Sequence, residues 1–407
     1  MLASLPAFGN VNVAPFCLTR SFVLGGVARL DVPMSDDKPA LDARGRAVVF
    51  DVLRILAAIQ VVIGHYAFSS HAVSRTTMYS SLLREEARYG YITVDIFFII
   101  SGYFITMTAR KHSWQSFLLS RVPRIFAPLM VCGTLTFIGC RLLGEYANRP
   151  MGIVDWIGNV TGFILIPFLG QRIQVLDVVY WTLQIEVAYY LVVAIGLAIG
   201  LVQLRLMTVF VVACLTALLA GPYVKGFSVV LFATQWFSRF GVGGILFLLS
   251  QNPRSRWIWA HYVVAIVVLM VSVWQRAVDR VHLEHVVFNP IVSCSLMAVA
   301  LSILTWFSLF PLRRNIPVTQ FLGGVSFPLY LIHHQLGCTI ANALHIGDST
   351  AGVLGLCAVM LGTACLIHAA AEKPLAACLR NGISALVGDG PSAARERKGE
   401  PGQREAN

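Results

Sequence analysis

Ten apolar runs, each about as long as a membrane-spanning helix, are the feature that most constrains the fold of this chain. An α-helix rises about 1.5 Å per residue, so about 20 residues cross a hydrocarbon core roughly 30 Å thick. The runs lie near residues 48–68, 91–110, 125–144, 178–202, 206–221, 227–250, 257–275, 288–310, 322–343 and 352–370. Hydrophobic residues make up 57% of the 407 residues and charged residues only 13%, which excludes an ordinary soluble domain. The sequence therefore predicts an all-α membrane protein, a polytopic bundle of about ten transmembrane helices.

The loops between these runs alternate in charge, and this alternation predicts the orientation of the chain, because basic loops are retained in the cytoplasm. One set of alternate loops, free of acidic residues between the first helix and the last, holds Arg44, Arg46, Arg110, Lys111, Arg121, Arg124, Arg205, Arg254, Arg256, Arg313, Arg314, Lys373 and Arg380. The other set mixes basic residues with acids such as Glu85, Asp177 and Asp279. Both termini are therefore predicted to be cytoplasmic, and the formal net charge of +11 requires no nucleic-acid partner.

The sequence predicts one membrane domain, residues 46–376, flanked by segments with little ordered structure. Residues 1–45 are expected to be disordered or, up to Met34, a mis-called start, and 377–407 a cytoplasmic, mostly disordered tail rich in charge, Gly and Pro. The apolar stretch 152–170 is interrupted by polar residues and proline, which is typical of an interfacial or re-entrant segment. The nine cysteines show no metal-ligand spacing, so no metal site is predicted.

Three ionisable side chains from three apolar segments fall at a similar depth in the predicted outer half of the membrane: His65, Asp95 and Glu186. Ionisable groups inside a membrane are expensive to insert and are therefore functional candidates. An imidazole near a carboxylate is the arrangement that orients a general base or stabilises its protonated form. We therefore predict a catalytic group of these residues. The alternative, in which the carboxylates only pair with cations to stabilise the bundle, stays open at this point.

A second group of ionisable residues lies toward the predicted cytoplasmic side. Arg54 precedes His65 by eleven positions, which places both on nearly the same helix face, about 16 Å apart. Arg121 and Arg124 belong to a loop that contains no acidic residue. Arginine recognises phosphates through bidentate, charge-assisted hydrogen bonds. Beyond its topological role, this basic group is therefore predicted to bind the phosphates of a donor molecule.

Three further residues are candidates for a polar path through the bundle or for contact with an acceptor. Arg239 falls near the middle of its predicted helix, where it is either a counter-ion or part of a path between the two faces. Tyr330 and His333 lie in the ninth apolar run, together with His334. One of the two histidines is expected to face the bundle interior, and the other to occupy a less critical position.

Six segments, taken in order along the chain, carry the pattern of one protein family. They are FDVLRILAAIQVVIGHYAF, VDIFFIISGYFIT, SRVPRIFAPLM, WTLQIEVAYYL, SFPLYLIHHQL and the short EKP at 372–374. Together they resemble the acyltransferase 3 family of bacterial integral-membrane acyltransferases over roughly residues 48–376. The chain departs from the family pattern at Thr182, where serine is commoner, and at Pro128, one place later than in many members. Neither departure removes an ionisable group.

The resemblance implies an O-acyltransferase that moves an acyl group, most often acetyl, from cytoplasmic acyl-CoA to a sugar hydroxyl of an extracytoplasmic or lipid-linked glycan. Acyl-CoA is then a co-substrate, no permanently bound cofactor is implied, and the expected location is the bacterial inner membrane, in contact with lipid. Carried over to this chain, the resemblance makes His65 the essential histidine, Arg54 its partner, and Arg121 and Arg124 the loop arginines tied to use of the donor.

The sequence leaves three questions open. His65 either deprotonates the acceptor hydroxyl or carries the acyl group transiently. A secondary transporter would also place these ionisable residues in a helical bundle, although its usual inverted repeat is not visible here, and a non-catalytic scaffold would tolerate loss of His65. The acceptor is an exopolysaccharide, an O-antigen, a lipid-linked oligosaccharide or a small metabolite, and nothing in the sequence distinguishes these.

Overall fold

The computed structural model describes the greater part of the predicted membrane domain. The described residues are 40–69, 83–144, 151–162, 173–201, 205–206, 208–209, 228–284, 288–312, 316–346 and 349–387. Helices dominate these ranges, and no strand occurs within them. The predictions of disorder for residues 1–39 and 388–407 concern residues outside the described ranges.

Twelve helices carry the fold of the described residues. They are α1 (Ala40–Gly64), α2 (Ile92–Ala109), α3 (Trp114–Leu143), α4 (Ile153–Val160), α5 (Trp181–Ala198), α6 (Ser228–Gln251), α7 (Arg256–Glu284), α8 (Pro290–Leu309), α9 (Pro317–Ile332), α10 (Gln335–Ala343), α11 (Thr350–Leu366) and α12 (Lys373–Val387). π-Helical turns follow α1 at His65–Ser69 and α11 at Ile367–Glu372. The helical turns Arg84–Ala87 and Arg88–Tyr91 lead into α2.

The helix starts follow local sequence signals. The hydroxyl of Ser113 accepts a hydrogen bond from the Ser116 amide at the start of α3, and Ser349 caps α11 in the same way. At the start of α8, Asn289 is the cap and Pro290 occupies the first turn. These caps satisfy amides that a helix cannot bond internally, so each loop-to-helix transition is fixed by its own sequence.

Seven stretches among the described residues are long and apolar enough to cross a membrane, and they confirm the prediction of an all-α membrane protein. They are Val48–Phe68, Arg84–Ala109, Trp114–Leu143, Val178–Ala198, Arg256–Arg280, Pro290–Leu309 and Thr350–Ile383. The total of about ten helices and the cytoplasmic termini stay predictions, since nearly all of the predicted run 206–221 lies outside the described residues.

Two parts of the structure differ in detail from the sequence prediction. The ninth apolar run is not one helix, because the helix is interrupted at His333 and His334, between α9 and α10. In the two flanking segments predicted to be disordered, residues 40–45 and 377–387 are helical, because α1 begins at Ala40 and α12 continues to Val387. The predicted interfacial segment begins with the eight-residue helix α4, while residues 163–172 lie outside the described ranges.

The packing of α1, α3 and α9 determines which side chains meet. α1 packs against both α2 and α9, and α3 packs against α5 and α9. The C-terminal end of α1, the break after α9 and the segment before α5 therefore converge at one end of the bundle. We call this the His65 end. The end at which α1 begins is called the Arg54 end.

The crossing of α2 and α6 depends on two glycines. A Cβ on Gly102 would meet the backbone of Phe240, and a Cβ on Gly243 would meet the carbonyl oxygen of Ile99. Small residues of this kind let two membrane helices approach closely. The crossing determines the partner of Asp95, one of the predicted catalytic residues. It holds Asp95 of α2 against Arg239 of α6, and the two form an ion pair.

Replacing Gly243 by alanine is expected to destabilise the protein by about 3 kcal/mol, since overpacking a filled crossing costs typically 1–3 kcal/mol and the obstacle here is rigid backbone. Thermal unfolding in detergent would measure the loss. Gly362 in α11 is the matched control, because a Cβ there meets nothing within 4 Å. Equal stability of the Gly243→Ala and Gly362→Ala variants would contradict this account of the crossing.

Candidate active site

Three imidazole rings meet at the His65 end. His65 lies in the π-helical turn after α1, and His333 and His334 occupy the break between α9 and α10. The ring of His65 has its centroid 5.2 Å from that of His333 and 4.7 Å from that of His334. His333 and His334 are both buried. The expectation that only one of the two histidines faces the interior is therefore wrong, because the break in the helix turns both rings toward His65.

The break between α9 and α10 is stabilised by the π-helical turn that follows α1. The hydroxyl of Tyr66, next to His65 in the chain, donates a hydrogen bond to the carbonyl oxygen of His333. Gly337 lies against that hydroxyl, where a Cβ would collide with it. A π-helical turn often marks a functional position. Here it gives two adjacent residues different partners. His65 contacts the imidazoles, while Tyr66 holds the backbone that carries them.

Asp177 provides a buried carboxylate beside this cluster. It directly precedes the turn Val178–Tyr180 that leads into α5 and is 1% exposed. One carboxylate oxygen accepts hydrogen bonds from Nδ1 of His334, at 3.1 Å, and from the amide of Val179, at 3.1 Å. The other accepts from the amide of Gln335 at 2.7 Å. Two backbone amides thus fix the carboxylate in place against His334.

The hydrogen bond of His333 identifies its tautomer. Its Nδ1 lies 2.8 Å from the carbonyl oxygen of Tyr330. Because a carbonyl oxygen can only accept, Nδ1 carries the proton and Nε2 of the neutral ring is an acceptor. That Nε2 atom is buried and has no hydrogen-bond partner among the described residues. Although three imidazoles meet here, no cluster of His, Cys, Asp or Glu within the described ranges is arranged to hold a metal ion.

A cavity of about 300 Å³ lies between Arg54 and Tyr330, and none of the three histidines lines it. Its charged lining consists of Arg54, Arg124, Asp51, Glu186 and Glu372. Its aromatic lining consists of Phe97, Phe98, Phe327 and Tyr330. The structure thus brings two of the three predicted donor-binding arginines together in one cavity, where three carboxylates also line the wall.

Arg54 is incompletely paired within this cavity. Its Nη1 atom lies 3.7 Å from Asp51, and its guanidinium carbon lies 4.7 Å from the ring centre of Phe104. Its Nη2 atom is buried without a hydrogen-bond partner among the described residues. A buried donor of this kind is costly unless a partner is supplied, and a ligand in the cavity would supply one.

Arg121 lies beside the cavity. It is buried, with its guanidinium 5.4 Å from the ring centre of Tyr190, and its Nε and Nη2 atoms lack hydrogen-bond partners in the described part of the chain. Tyr190 in turn donates a hydrogen bond to Glu186. The third predicted donor-binding arginine is therefore connected to the cavity through these two side chains.

Tyr330 forms the wall between the cavity and the imidazole cluster. It lines the cavity, and its ring centre lies 5.7 Å from that of His333 and 5.8 Å from that of Phe97. Its hydroxyl accepts a hydrogen bond from Thr182 at 3.1 Å and lies 3.3 Å from the carbonyl oxygen of Val179. One aromatic side chain, fixed at its hydroxyl, thus separates the arginines from the histidines.

The two carboxylates predicted to assist His65 have other contacts. Asp95 is fully buried and binds Arg239 at 2.8 Å and Arg276 at 2.6 Å. Arg239 is therefore a counter-ion of Asp95 within the bundle. Glu186 belongs to the arginine-containing cavity. The structure thus brings neither Asp95 nor Glu186 into the imidazole cluster. Any catalytic role for these two carboxylates stays a prediction.

Sequence analysis missed two residues of the site. Asp177 was grouped with the acids of the outer loops, and His334 was not distinguished from His333. A signal for Asp177 was present, since it interrupts the apolar stretch 175–180 just before a helix begins. The sequence offered no comparable signal for the break that brings His334 to His65.

Comparison with known proteins yields one family match that covers most of the chain. A family model described as an acyltransferase domain matches residues 48–369. A curated O-acetyl transferase from Shigella phage Sf6 is 38% identical over 90 residues, which cover 22% of this chain and 25% of the phage protein. The chain therefore matches about a quarter of the length of that relative. No solved structure matches the chain.

Proposed function

Since the chain belongs to the acyltransferase 3 family, we propose that it transfers an acyl group, in the first instance acetyl, from cytoplasmic acyl-CoA to a hydroxyl of a cell-surface or lipid-linked glycan. The observation that carries this proposal is that the cavity and the imidazole cluster are adjacent, on the two sides of Tyr330. A cavity lined by Arg54 and Arg124 ends at Tyr330, and the ring of Tyr330 lies against the cluster that contains His65. Such a layout suits a donor bound at one end and chemistry performed at the other.

The arginines are suited to the phosphates of CoA. Guanidinium groups form bidentate, charge-assisted bonds with phosphates, and Arg54 has a buried donor without a protein partner among the described residues. Arg54 and His65 are separated by about 16 Å along α1. This separation matches an extended pantetheine arm, so phosphates near Arg54 would put the thioester near His65.

His65 is assigned the role of general base. A sugar hydroxyl attacks a thioester efficiently only when a base takes its proton in the transition state. In the proposed step the acceptor O–H bond breaks and its proton moves to a nitrogen of His65. The acceptor oxygen bonds to the acyl carbon, the carbon–sulfur bond breaks, and CoA leaves as its thiolate. The products are an O-acyl ester and free CoA.

The proposal is tested with membranes from cells that express the chain and from cells that carry the empty vector. Radiolabel from acetyl-CoA should enter a glycan fraction only when the chain is present, and mild alkali should release it as acetate, as expected for an ester. The labelled fraction identifies the acceptor. Flux of a metabolite without consumption of acetyl-CoA would instead support a transporter, and absence of labelling with folded protein would support a scaffold.

Replacing Arg54 or Arg124 by glutamine is expected to raise KM for acetyl-CoA by about 10- to 100-fold, because a hydrogen bond to a charged group contributes about 1.5–3 kcal/mol. The same variants should have little effect on acetyl-pantetheine, which lacks the CoA phosphates. Steady-state kinetics with both donors measure the difference. Arg254→Gln, which removes an exposed arginine outside the cavity, is the matched control. An equal loss with both donors would contradict phosphate binding.

A further inference from the structure

The Asp177–His334 pair has no role in the function proposed above, yet it is a buried, hydrogen-bonded acid–base pair at the His65 end. Asp177 accepts three hydrogen bonds, from His334 and from the amides of Val179 and Gln335. It is 1% exposed, and His334 is 5% exposed. The carboxylate thus binds an imidazole in addition to the two amides that hold it in place.

The hydrogen bond fixes the chemistry of His334. The carboxylate of Asp177 accepts from two backbone amides, so it acts as the acceptor toward Nδ1 of His334 as well. In the neutral ring Nδ1 then carries the proton and Nε2 is free to accept one. A carboxylate that holds an imidazole in one tautomer and stabilises its protonated form is the arrangement that activates histidine in hydrolytic triads.

His65 has no carboxylate of its own in the described structure. The ionisable groups close enough to act on it there are His333, His334 and Arg280. His334 makes the closest ring contact, with a centroid separation of 4.7 Å and an interplanar angle of 70°. His333 is less suited to share a proton, because its Nδ1 binds a neutral backbone carbonyl rather than a carboxylate. The carboxylate of Asp177 is therefore linked to His65 through the ring of His334.

We propose that Asp177 and His334 form a proton relay for His65, an inference that rests on the function proposed above. His65 takes the proton of the acceptor hydroxyl on one ring nitrogen and passes the proton from its other nitrogen to Nε2 of His334. The positive charge then lies on His334, where Asp177 balances it. After the carbon–sulfur bond breaks, His334 returns this proton to the same nitrogen of His65, and the first nitrogen of His65 releases the acceptor's proton to the CoA thiolate. CoA then leaves as the thiol, and all three residues are back in their starting state. His334 and Asp177 are positioning residues, since they act through His65.

The relay is tested with His334→Ala and Asp177→Asn, with His261→Ala as the control. His261 is a partly exposed histidine of α7 that bonds to a backbone carbonyl of its own helix. The two relay variants should lower the turnover of acetyl transfer by about 10²-fold, within the range that acid–base groups contribute. Binding of acetyl-CoA, measured by titration calorimetry, should change by less than about threefold in all three variants.

Chemical rescue distinguishes proton transfer from packing. Imidazole added to His334→Ala should restore transfer in proportion to its concentration, whereas pyrazole, which has a similar shape but is far less basic, should not. Equal rescue by the two compounds, or full activity without rescue, would overturn the relay. Failure of the underlying function would look different, because wild-type protein would then transfer no label from acetyl-CoA at all.

Discussion

Replacing His65 by alanine should lower acyl transfer by about 10²- to 10⁴-fold, while the protein folds and binds acetyl-CoA normally. The reason is positional. His65 lies in the ring cluster of His333 and His334, whereas the arginine-lined cavity that would bind the donor lies beyond Tyr330. Loss of the imidazole therefore removes the base but leaves the phosphate contacts intact.

The effect of His65→Ala should appear in turnover and not in KM for acetyl-CoA. Steady-state kinetics of purified protein in lipid vesicles would separate the two quantities, and thermal unfolding would confirm that the variant is folded. His261→Ala should behave as wild type in both measurements. A His65→Ala variant with wild-type turnover would exclude the imidazole cluster as the reacting centre.

Replacing Asp95 by asparagine should destabilise the fold by about 3–5 kcal/mol, the usual cost of removing one partner from a buried ion pair. Asp95 and Arg239 are both fully buried, and Arg276 makes a second ion pair with the same carboxylate. Asparagine keeps the shape of the side chain but removes its negative charge. The two guanidinium groups then lose the carboxylate that balances them. The yield of folded protein from detergent and its unfolding temperature would report the effect.

A second substitution separates a structural role of Asp95 from the predicted catalytic one. The double variant Asp95→Asn/Arg239→Met also removes Arg239, the more deeply buried of the two arginines paired with Asp95. Part of the lost stability should therefore return. Arg254→Gln is the control for removal of an exposed arginine. An Asp95→Asn variant that folds as well as wild type but does not transfer acyl groups would support the catalytic prediction instead.

Helical periodicity was sufficient to predict much of the Arg54 end. The eleven-residue separation of Arg54 and His65 predicts one continuous helical segment, and α1 does run through Arg54 and lead directly into the π-helical turn that begins at His65. Clustered arginine in an acid-free loop suggested a phosphate site, and Arg124 does line a cavity with Arg54. Both inferences depend on local sequence, which specifies helix geometry well. The predicted loop itself is not found, because α3 already begins at Trp114 and contains both Arg121 and Arg124.

The partners of the histidines could not be predicted in the same way. Depth along a helix follows from the sequence, but the direction in which a side chain points depends on the neighbouring helices. Asp95 was assigned a depth similar to that of His65, yet it points toward Arg239 and Arg276. His334 reaches His65 only because α9 ends at Ile332, and that break lies inside a continuous apolar run. Asp177 was missed because loop acids usually face solvent.

In the proposed function, an acyl group enters at the Arg54 end and is transferred at the His65 end. Sealed vesicles with their cytoplasmic face outward test it most directly, with radiolabelled acetyl-CoA supplied outside and a glycan acceptor enclosed in the lumen. We predict that wild-type protein labels the enclosed acceptor and that His65→Ala does not. Labelling only when acetyl-CoA is enclosed in the lumen, or equal labelling by His65→Ala, would contradict the account.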